Sequence, residues 1–301
     1  MTRHTRAVFA ALALALFALP AAAQDLAGTL KKIKDSGTIT LGHRETSIPF
    51  SYLDDKQQPI GYSMDICAAI VEEVKKELGL STLNVKYNPV TSQTRIPLMS
   101  NGTIDLECGS TTNNLTRQKQ VAFAPVTFIT GTKLLVKKSS KIKTYKDLKN
   151  KTVVVTQGTT NERTIKALSD KDSLNIKFLN AKDHAESFLT VESGRAVAFA
   201  MDDILLYGLV AKAKSPRDFE VVGEYLSYDP YGMMFRNNDD AFGVVVRRAV
   251  ARFFGSPGQC DGPIKTVYKK WFIDKLPSGE AMGVPLSPLL ENVCRTNALP
   301  D

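Results

Sequence analysis

The sequence is poor in the side chains that carry covalent and metal chemistry. It has three histidines and four cysteines in 301 residues, and His4 lies in an N-terminal segment that reads as a targeting signal, so only His43 and His184 remain for the folded protein. There is no GxSxG turn, no Walker phosphate loop, no HExxH and no GxGxxG following a strand. Nucleophilic hydrolysis, nucleotide binding, zinc proteolysis and dinucleotide redox chemistry therefore have no motif to rest on. A Ser-His-Asp triad would have to use one of two isolated histidines. No cofactor and no metal site is expected. Low-complexity stretches and long linkers are missing as well.

Long apolar runs are also scarce, and the first one is too short to span a bilayer comfortably. Arg3 and Arg6 precede an apolar stretch from Ala7 to Leu19, and Pro20-Ala21-Ala22-Ala23 supplies a small-residue cleavage pattern. Residues 1–23 read as a cleaved signal peptide that sends the protein to the periplasm. An uncleaved anchor would need the apolar stretch to run on toward ~20 residues instead of ending at Pro20. Removing the segment leaves 278 residues and, by taking Arg3 and Arg6, lowers the formal charge from +8 to +6. That surplus comes as scattered lysine pairs such as Lys31-Lys32 and Lys137-Lys138, with no aromatic interleaving. Solvated faces that steer an anionic ligand fit this pattern, and nucleic acid does not.

Cys67, Cys108, Cys260 and Cys294 all follow the signal and none belongs to a CxxC. An oxidising compartment favours two disulfides over a metal site. Of the three possible pairings, Cys67 with Cys108 plus Cys260 with Cys294 is the most economical, since each stays within one stretch of chain. The reading is of a monomer.

Short β-branched runs alternate with amphipathic helical patterns, which predicts α/β units around mostly parallel sheets. The expected order is a strand Thr38 to Leu41, a helix capped by Ser63 with Ile66, Ile70, Val74 and Leu78 on one face, and a strand Leu83 to Tyr87. A short helix Arg95 to Ser100 and a strand Ile104 to Cys108 follow. A second block repeats the design, with strands at Lys133 to Val136, Thr152 to Thr156, Ile176 to Leu179 and Val197 to Ala200. The pattern then changes to a strand Tyr231 to Arg236 and helices Ala241 to Phe254 and Ile264 to Phe272, which pack back onto the first unit. Residues 24–130 form the first part of lobe 1, residues 131–225 form lobe 2, and residues 226–301 return to lobe 1. The two crossings, near Phe128 to Thr132 and Glu224 to Asp229, make a two-strand hinge.

Polar groups gather at turns that follow strands, where open α/β sheets bind ligands. Arg44 follows the first strand, Ser92 and Arg95 the second, Ser110 and Thr112 the third, with Arg117 one turn of chain later. In the second block Gly158 lets the amides of Thr159 and Thr160 face an anion, His184 opens a helix and Asp202 ends a strand. Each residue has an ordinary explanation as a solvated charge or a helix cap. Jointly they point further, because a buried arginine needs an anion and three of them share one sheet edge. Three arginines facing one aspartate suit a ligand with two carboxylates and one ammonium.

The segments Gly42-His43-Arg44-Glu45-Thr46-Ser47-Ile48-Pro49-Phe50-Ser51-Tyr52, Thr91-Ser92-Gln93-Thr94-Arg95-Ile96-Pro97-Leu98, Glu107-Cys108-Gly109-Ser110-Thr111-Thr112-Asn113-Asn114 and Ser193-Gly194-Arg195-Ala196-Val197-Ala198-Phe199 resemble the periplasmic glutamate/aspartate-binding proteins of ABC importers. The resemblance runs from about Gly37 to Phe272 and implies a type II periplasmic-binding fold. By it, Arg117 with the amides near Thr112 and Thr159 holds the α-carboxylate, while Asp202 with Ser110 takes the ammonium. Arg44, Ser92, Arg95, Thr159 and His184 surround the side-chain carboxylate. It implies L-glutamate or L-aspartate as ligand, a membrane permease as partner, and no enzymatic activity. Tyr231-Gly232-Met233-Met234 lacks the cysteine some relatives carry there, so Cys108 needs another partner and Cys67 is available. A binder of neutral polar amino acids is disfavoured by the clustered arginines, and a dehydratase-type enzyme by the want of an acid/base pair.

Overall fold

The computed structural model describes residues 26–277, 279 and 281–297; the signal-peptide segment 1–23 lies outside them. In chain order the strands that matter for the site are β1 (Thr38–His43), β2 (Asn84–Pro89), β3 (Leu106–Cys108), β4 (Val121–Phe123), β5 (Phe128–Thr130) and β6 (Thr132–Lys137). They continue as β7 (Thr152–Thr156), β8 (Lys177–Ala181), β9 (Ala198–Asp202), β10 (Phe219–Val222), β11 (Asp229–Tyr231) and β12 (Met234–Arg236).

Two five-stranded sheets result, with spatial orders β2-β1-β3-β12-β4 and β8-β7-β9-β6-β10. The two orders share one plan. In each lobe the first strand pairs in parallel with the second and third, and a strand that has just arrived from the other lobe inserts antiparallel. β6 is that arrival in the second sheet and β12 in the first. The fold is the type II periplasmic-binding architecture, two α/β lobes, but the sheets expected to be mostly parallel are mixed, with two parallel and two antiparallel pairings in each, because the strand arriving from the other lobe runs against both of its neighbours. Between the lobes β5 and β11 pair antiparallel, Asp229 opposite Thr130 and Tyr231 opposite Phe128.

The expected strand from Tyr231 to Arg236 is two strands. Gly232 donates its N–H to Thr111 and Met233 accepts from the Ala124 N–H, so the chain leaves the crossing ribbon and enters the first sheet within two residues. A Cβ at Gly232 would stand 3.0 Å from the Ala124 carbonyl oxygen, and this crowding is one that no sequence period reports. The helix Tyr62–Glu77 carries Ile66, Ile70 and Val74 on its buried face, as the fourfold spacing requires, with Leu78 buried just beyond its end. Ser63, however, does not cap it. Gly61 holds the cap position at φ 138, where a Cβ would lie 2.3 Å from the Phe50 carbonyl oxygen, and the Ser63 hydroxyl donates instead to Gly109 at 2.7 Å. The helix Asp240–Phe254 packs on this one, and its Val246 and Val250 are fully buried. The last predicted helix stays α-helical only over Ile264–Tyr268 and widens to a π turn over Lys269–Ile273.

Cys67 pairs with Cys108, tying the helix Tyr62–Glu77 to the end of β3, and Cys260 pairs with Cys294, tying the helix Pro288–Asn297 to the segment after Phe254.

Candidate functional site

The ends of β1, β2 and β3 place three arginines on one edge of the first sheet. Arg44 follows β1 directly, Arg95 opens the helix Arg95–Ser100 after β2, and Arg117 sits in the short helix Leu115–Gln118 after β3. That short helix begins at Asn114, whose side chain accepts the Arg117 N–H at 3.0 Å. All three side chains are buried, with 1%, 2% and 2% exposure, which is far from the solvated state usual for arginine.

Their hydrogen bonds are incomplete. Arg95 Nη1 donates to the Thr111 hydroxyl at 2.6 Å and to the Ser110 carbonyl at 3.4 Å, while Arg117 Nη1 and Nη2 donate to the carbonyls of Thr112 at 2.8 Å and Gly158 at 3.3 Å. Arg44 Nη1, Arg95 Nε, Arg117 Nε and the hydroxyls of Ser92 and Ser110 are buried and have no partner in the protein. Buried donors are normally satisfied, so five partnerless ones in the segments that follow β1, β2 and β3 describe a surface made for acceptors.

The second sheet supplies the facing wall from the ends of β7, β8 and β9. Thr159 caps the helix Thr160–Lys171: its hydroxyl donates to Thr156 at 2.8 Å and accepts the Glu162 N–H at 3.0 Å. That hydroxyl is engaged, so a bond from Thr159 to an anion must come from its backbone. His184 opens the helix His184–Glu192 and is fully buried. Its Nε2 lies 3.4 Å from Arg44 Nη2 and its Nδ1 3.0 Å from the Thr156 hydroxyl. A guanidinium only donates, so Nε2 is the acceptor and the proton sits on Nδ1. The imidazole thus orients Arg44 from behind. Asp202 ends β9 and accepts from Asn161 at 2.8 Å and from the Tyr231 phenol.

Burial sets the electrostatics. It pushes Arg44 down to about 9, aided by the neighbouring charge of Arg95, and Arg117 down to about 9 with help from Arg95 and Arg163. Arg95 is also lowered by burial, against which Glu107 pulls upward. All three remain cations at neutral pH. His184 is held well below its ordinary value by burial and then by Arg44 and Arg95, so it is neutral. Asp202 is pushed up to about 8, first by burial and then by the nearby charge of Asp229, although its bonds from Tyr231 and Asn161 pull the other way. A carboxyl held that high is short of a cation.

The lobes are closed on one another across this site. Besides Arg44 with His184 and Arg117 with Gly158, the Thr112 and Thr160 hydroxyls meet at 3.3 Å and the His184 N–H reaches the Thr46 hydroxyl at 3.3 Å. The structure buries all nine residues singled out from the sequence at the ends of these strands or in the turns and helices that follow them. It adds four that sequence reasoning missed: Glu107, Asn161, Asp229 and Tyr231. Only Glu107 left a signal, as an acidic residue flanked by Leu106 and Cys108 in a strand that is buried throughout.

Comparison with known proteins gives the family. Residues 39–274 match the model of the bacterial extracellular solute-binding proteins, family 3. An L-glutamate/L-aspartate-binding protein of Pseudomonas aeruginosa is 52% identical over 285 residues, covering 94% of this chain and 93% of that one. A glutamate/aspartate import solute-binding protein of Escherichia coli is 49% identical over 272 residues, covering 89% and 88%. Among solved structures, an ancestral arginine-binding protein bound to arginine superposes with a TM-score of 0.69 at 29% identity, covering 78% of this chain and 98% of that one. The chain belongs to the bacterial extracellular solute-binding proteins, family 3.

Proposed function

We propose that this protein binds L-glutamate or L-aspartate between its lobes in the periplasm and delivers it to the permease of an ABC importer, acting as a carrier and not as an enzyme. The observation that carries the reading is the set of three buried arginines, each with a partnerless guanidinium nitrogen, across the cleft from Asp202. An acidic amino acid matches that set group for group. Arg117, with backbone N–H groups near Thr112 and Thr159, takes the α-carboxylate. Asp202 and Ser110 take the ammonium, which supplies the cation that the raised Asp202 lacks. Arg44, Ser92 and Arg95 take the side-chain carboxylate, and His184 holds Arg44 in place.

An amide side chain fits the same volume but presents an NH₂ donor to guanidinium donors, leaving a desolvated cation unpaired. Selectivity for glutamate and aspartate over glutamine and asparagine by ~10²-fold or more follows, with ~10⁴ the limit for a dry polar site. Calorimetric titration of the purified protein with the four amino acids tests this. Equal affinity for glutamine and glutamate would overturn it.

A further inference from the structure

Glu107 is the middle residue of β3 and is fully buried. Its Oε2 accepts the Thr111 hydroxyl at 2.6 Å, and the Thr111 oxygen in turn accepts from Arg95 Nη1 at 2.6 Å. Carboxylate and guanidinium are thus joined through one hydroxyl and not by direct contact. The other oxygen, Oε1, is buried without a partner. Gly109 shows where it points: a Cβ on that glycine would stand 2.2 Å from Glu107 Oε1 and 2.9 Å from Arg44 Cγ. The bare α-carbon of Gly109 leaves room for the carboxylate beside the stem of Arg44. Glu107 therefore sits among the arginines, and its charge helps to hold Arg44, Arg95 and Arg117 protonated.

A carboxylate in that place works against the arginines' task of holding anions. We infer that Glu107 is a specificity-determining residue whose buried charge biases the net charge of ligand that the cleft accepts, disfavouring a dicarboxylate that carries no ammonium. The inference rests on the ligand class proposed above. The walls hold three buried cations, Arg44, Arg95 and Arg117, and three buried carboxylates, Glu107, Asp202 and Asp229. A ligand with two carboxylates and an ammonium brings one net negative charge beside Glu107, and a plain dicarboxylate brings two. Glu107 disfavours each ligand carboxylate and favours the ammonium, in a medium where a charge pair separated by ~12 Å at an effective dielectric of ~20 changes affinity about tenfold. Asp202 recognises the ammonium by contact; Glu107 recognises it through the field.

The test compares glutamate with glutarate, the same skeleton without the ammonium, by calorimetric titration of the wild type, Glu107→Gln, Glu107→Met and Glu107→Asp. Gln and Met are neutral and similar in length, and Met makes no hydrogen bond to Thr111, so whichever variant folds reports the loss of charge. Both neutral variants should bind glutarate more tightly than the wild type does, and the glutamate-to-glutarate affinity ratio should narrow about tenfold. Glu107→Asp keeps the charge and should keep the wild-type ratio. A ratio unchanged in the neutral variants, or a parallel weakening of both ligands, would show a purely structural role and overturn the inference. Failure of the wild type to bind glutamate would instead overturn the proposed function, and is seen before any variant is made.

Discussion

The phenol of Tyr231 donates a hydrogen bond to Oδ2 of Asp202, so the second crossing strand is fastened to the end of the second sheet's central strand at the point where a ligand ammonium would bind. The next residue, Asp203, turns the other way and accepts from the hydroxyls of Thr130 and Tyr225, each at 2.6 Å. Two adjacent aspartates thus engage the two crossing strands on opposite sides. The Asp202 carboxyl is raised, because burial and Asp229 outweigh its two bonds.

That carboxyl predicts proton release on binding. With Asp202 at about 8 in the closed, ligand-free form, it carries a proton at neutral pH. An ammonium favours the ionised form, so ligand binding expels the proton, and affinity should rise with pH up to about 8 and then level off. Titration calorimetry in buffers of differing ionisation enthalpy measures the release directly. Independence of affinity from pH between about 6 and 8 would count against it.

The same group predicts a trade between stability and function. A carboxyl whose pKa is raised on folding costs nothing below its unfolded value, and its penalty grows as pH climbs toward the folded value of about 8. Asp202→Asn should therefore raise the melting temperature of the ligand-free protein more at pH 8 than at pH 5, by an amount worth ~1–3 kcal/mol. It should weaken glutamate binding by ~2 kcal/mol or more, since the ammonium loses its charged partner. Thermal melts with and without glutamate separate the two effects.

Arginine substitutions should divide by role. Arg95→Met should weaken glutamate and aspartate by ~10²-fold while leaving glutamine and asparagine much less affected, because only the acidic ligands offer it a carboxylate. Arg117→Met should weaken all four, since every one carries the α-carboxylate. Loss of all four ligands in Arg95→Met with none lost in Arg117→Met would reverse the assignment.

Closure should be sensitive to Gly208, which lies inside the helix Asp203–Lys212 of the second lobe and meets Ile48 of the first. A Cβ there would stand 2.4 Å from the Ile48 carbonyl oxygen. Alanine favours a helix over glycine by ~1 kcal/mol, so Gly208→Ala should leave the separate lobe as stable or more so. It should nevertheless weaken glutamate binding about tenfold by holding the lobes apart. Small-angle scattering with saturating glutamate should then show a larger radius of gyration than the wild type under the same conditions.

The two disulfides tie down different elements, so their loss should act differently on stability and on recognition. The Cys260–Cys294 bridge closes a loop with a sequence separation of 34 and lies on the helix Pro288–Asn297, away from the arginines. Replacing both cysteines by serine should cost ~2–4 kcal/mol in denaturant melts with little change in glutamate affinity. Replacing Cys67 and Cys108 should lower both, because Cys108 ends the strand that presents Ser110 and Thr112.

The sequence alone carries the alternation of strands and helices, because β-branched runs and a fourfold apolar spacing are local properties. The helix Arg95–Ser100 and the strand Thr152–Thr156 lie where those periods place them. It also determined that Arg44, Arg95 and Arg117 share one edge, since parallel strands end on one side of a sheet and a turn residue follows its strand. Tertiary structure alone decided what each of them faces. His184 reaches Arg44 across 140 residues of chain, Asn161 reaches Asp202 across 41, and Tyr231 reaches Asp202 from a crossing strand that the apolar pattern had merged with the next one. The helix start at Gly61 was hidden for the same reason: it is set by the Phe50 carbonyl pressing on a bare α-carbon, and steric contact between distant segments leaves no period in a sequence.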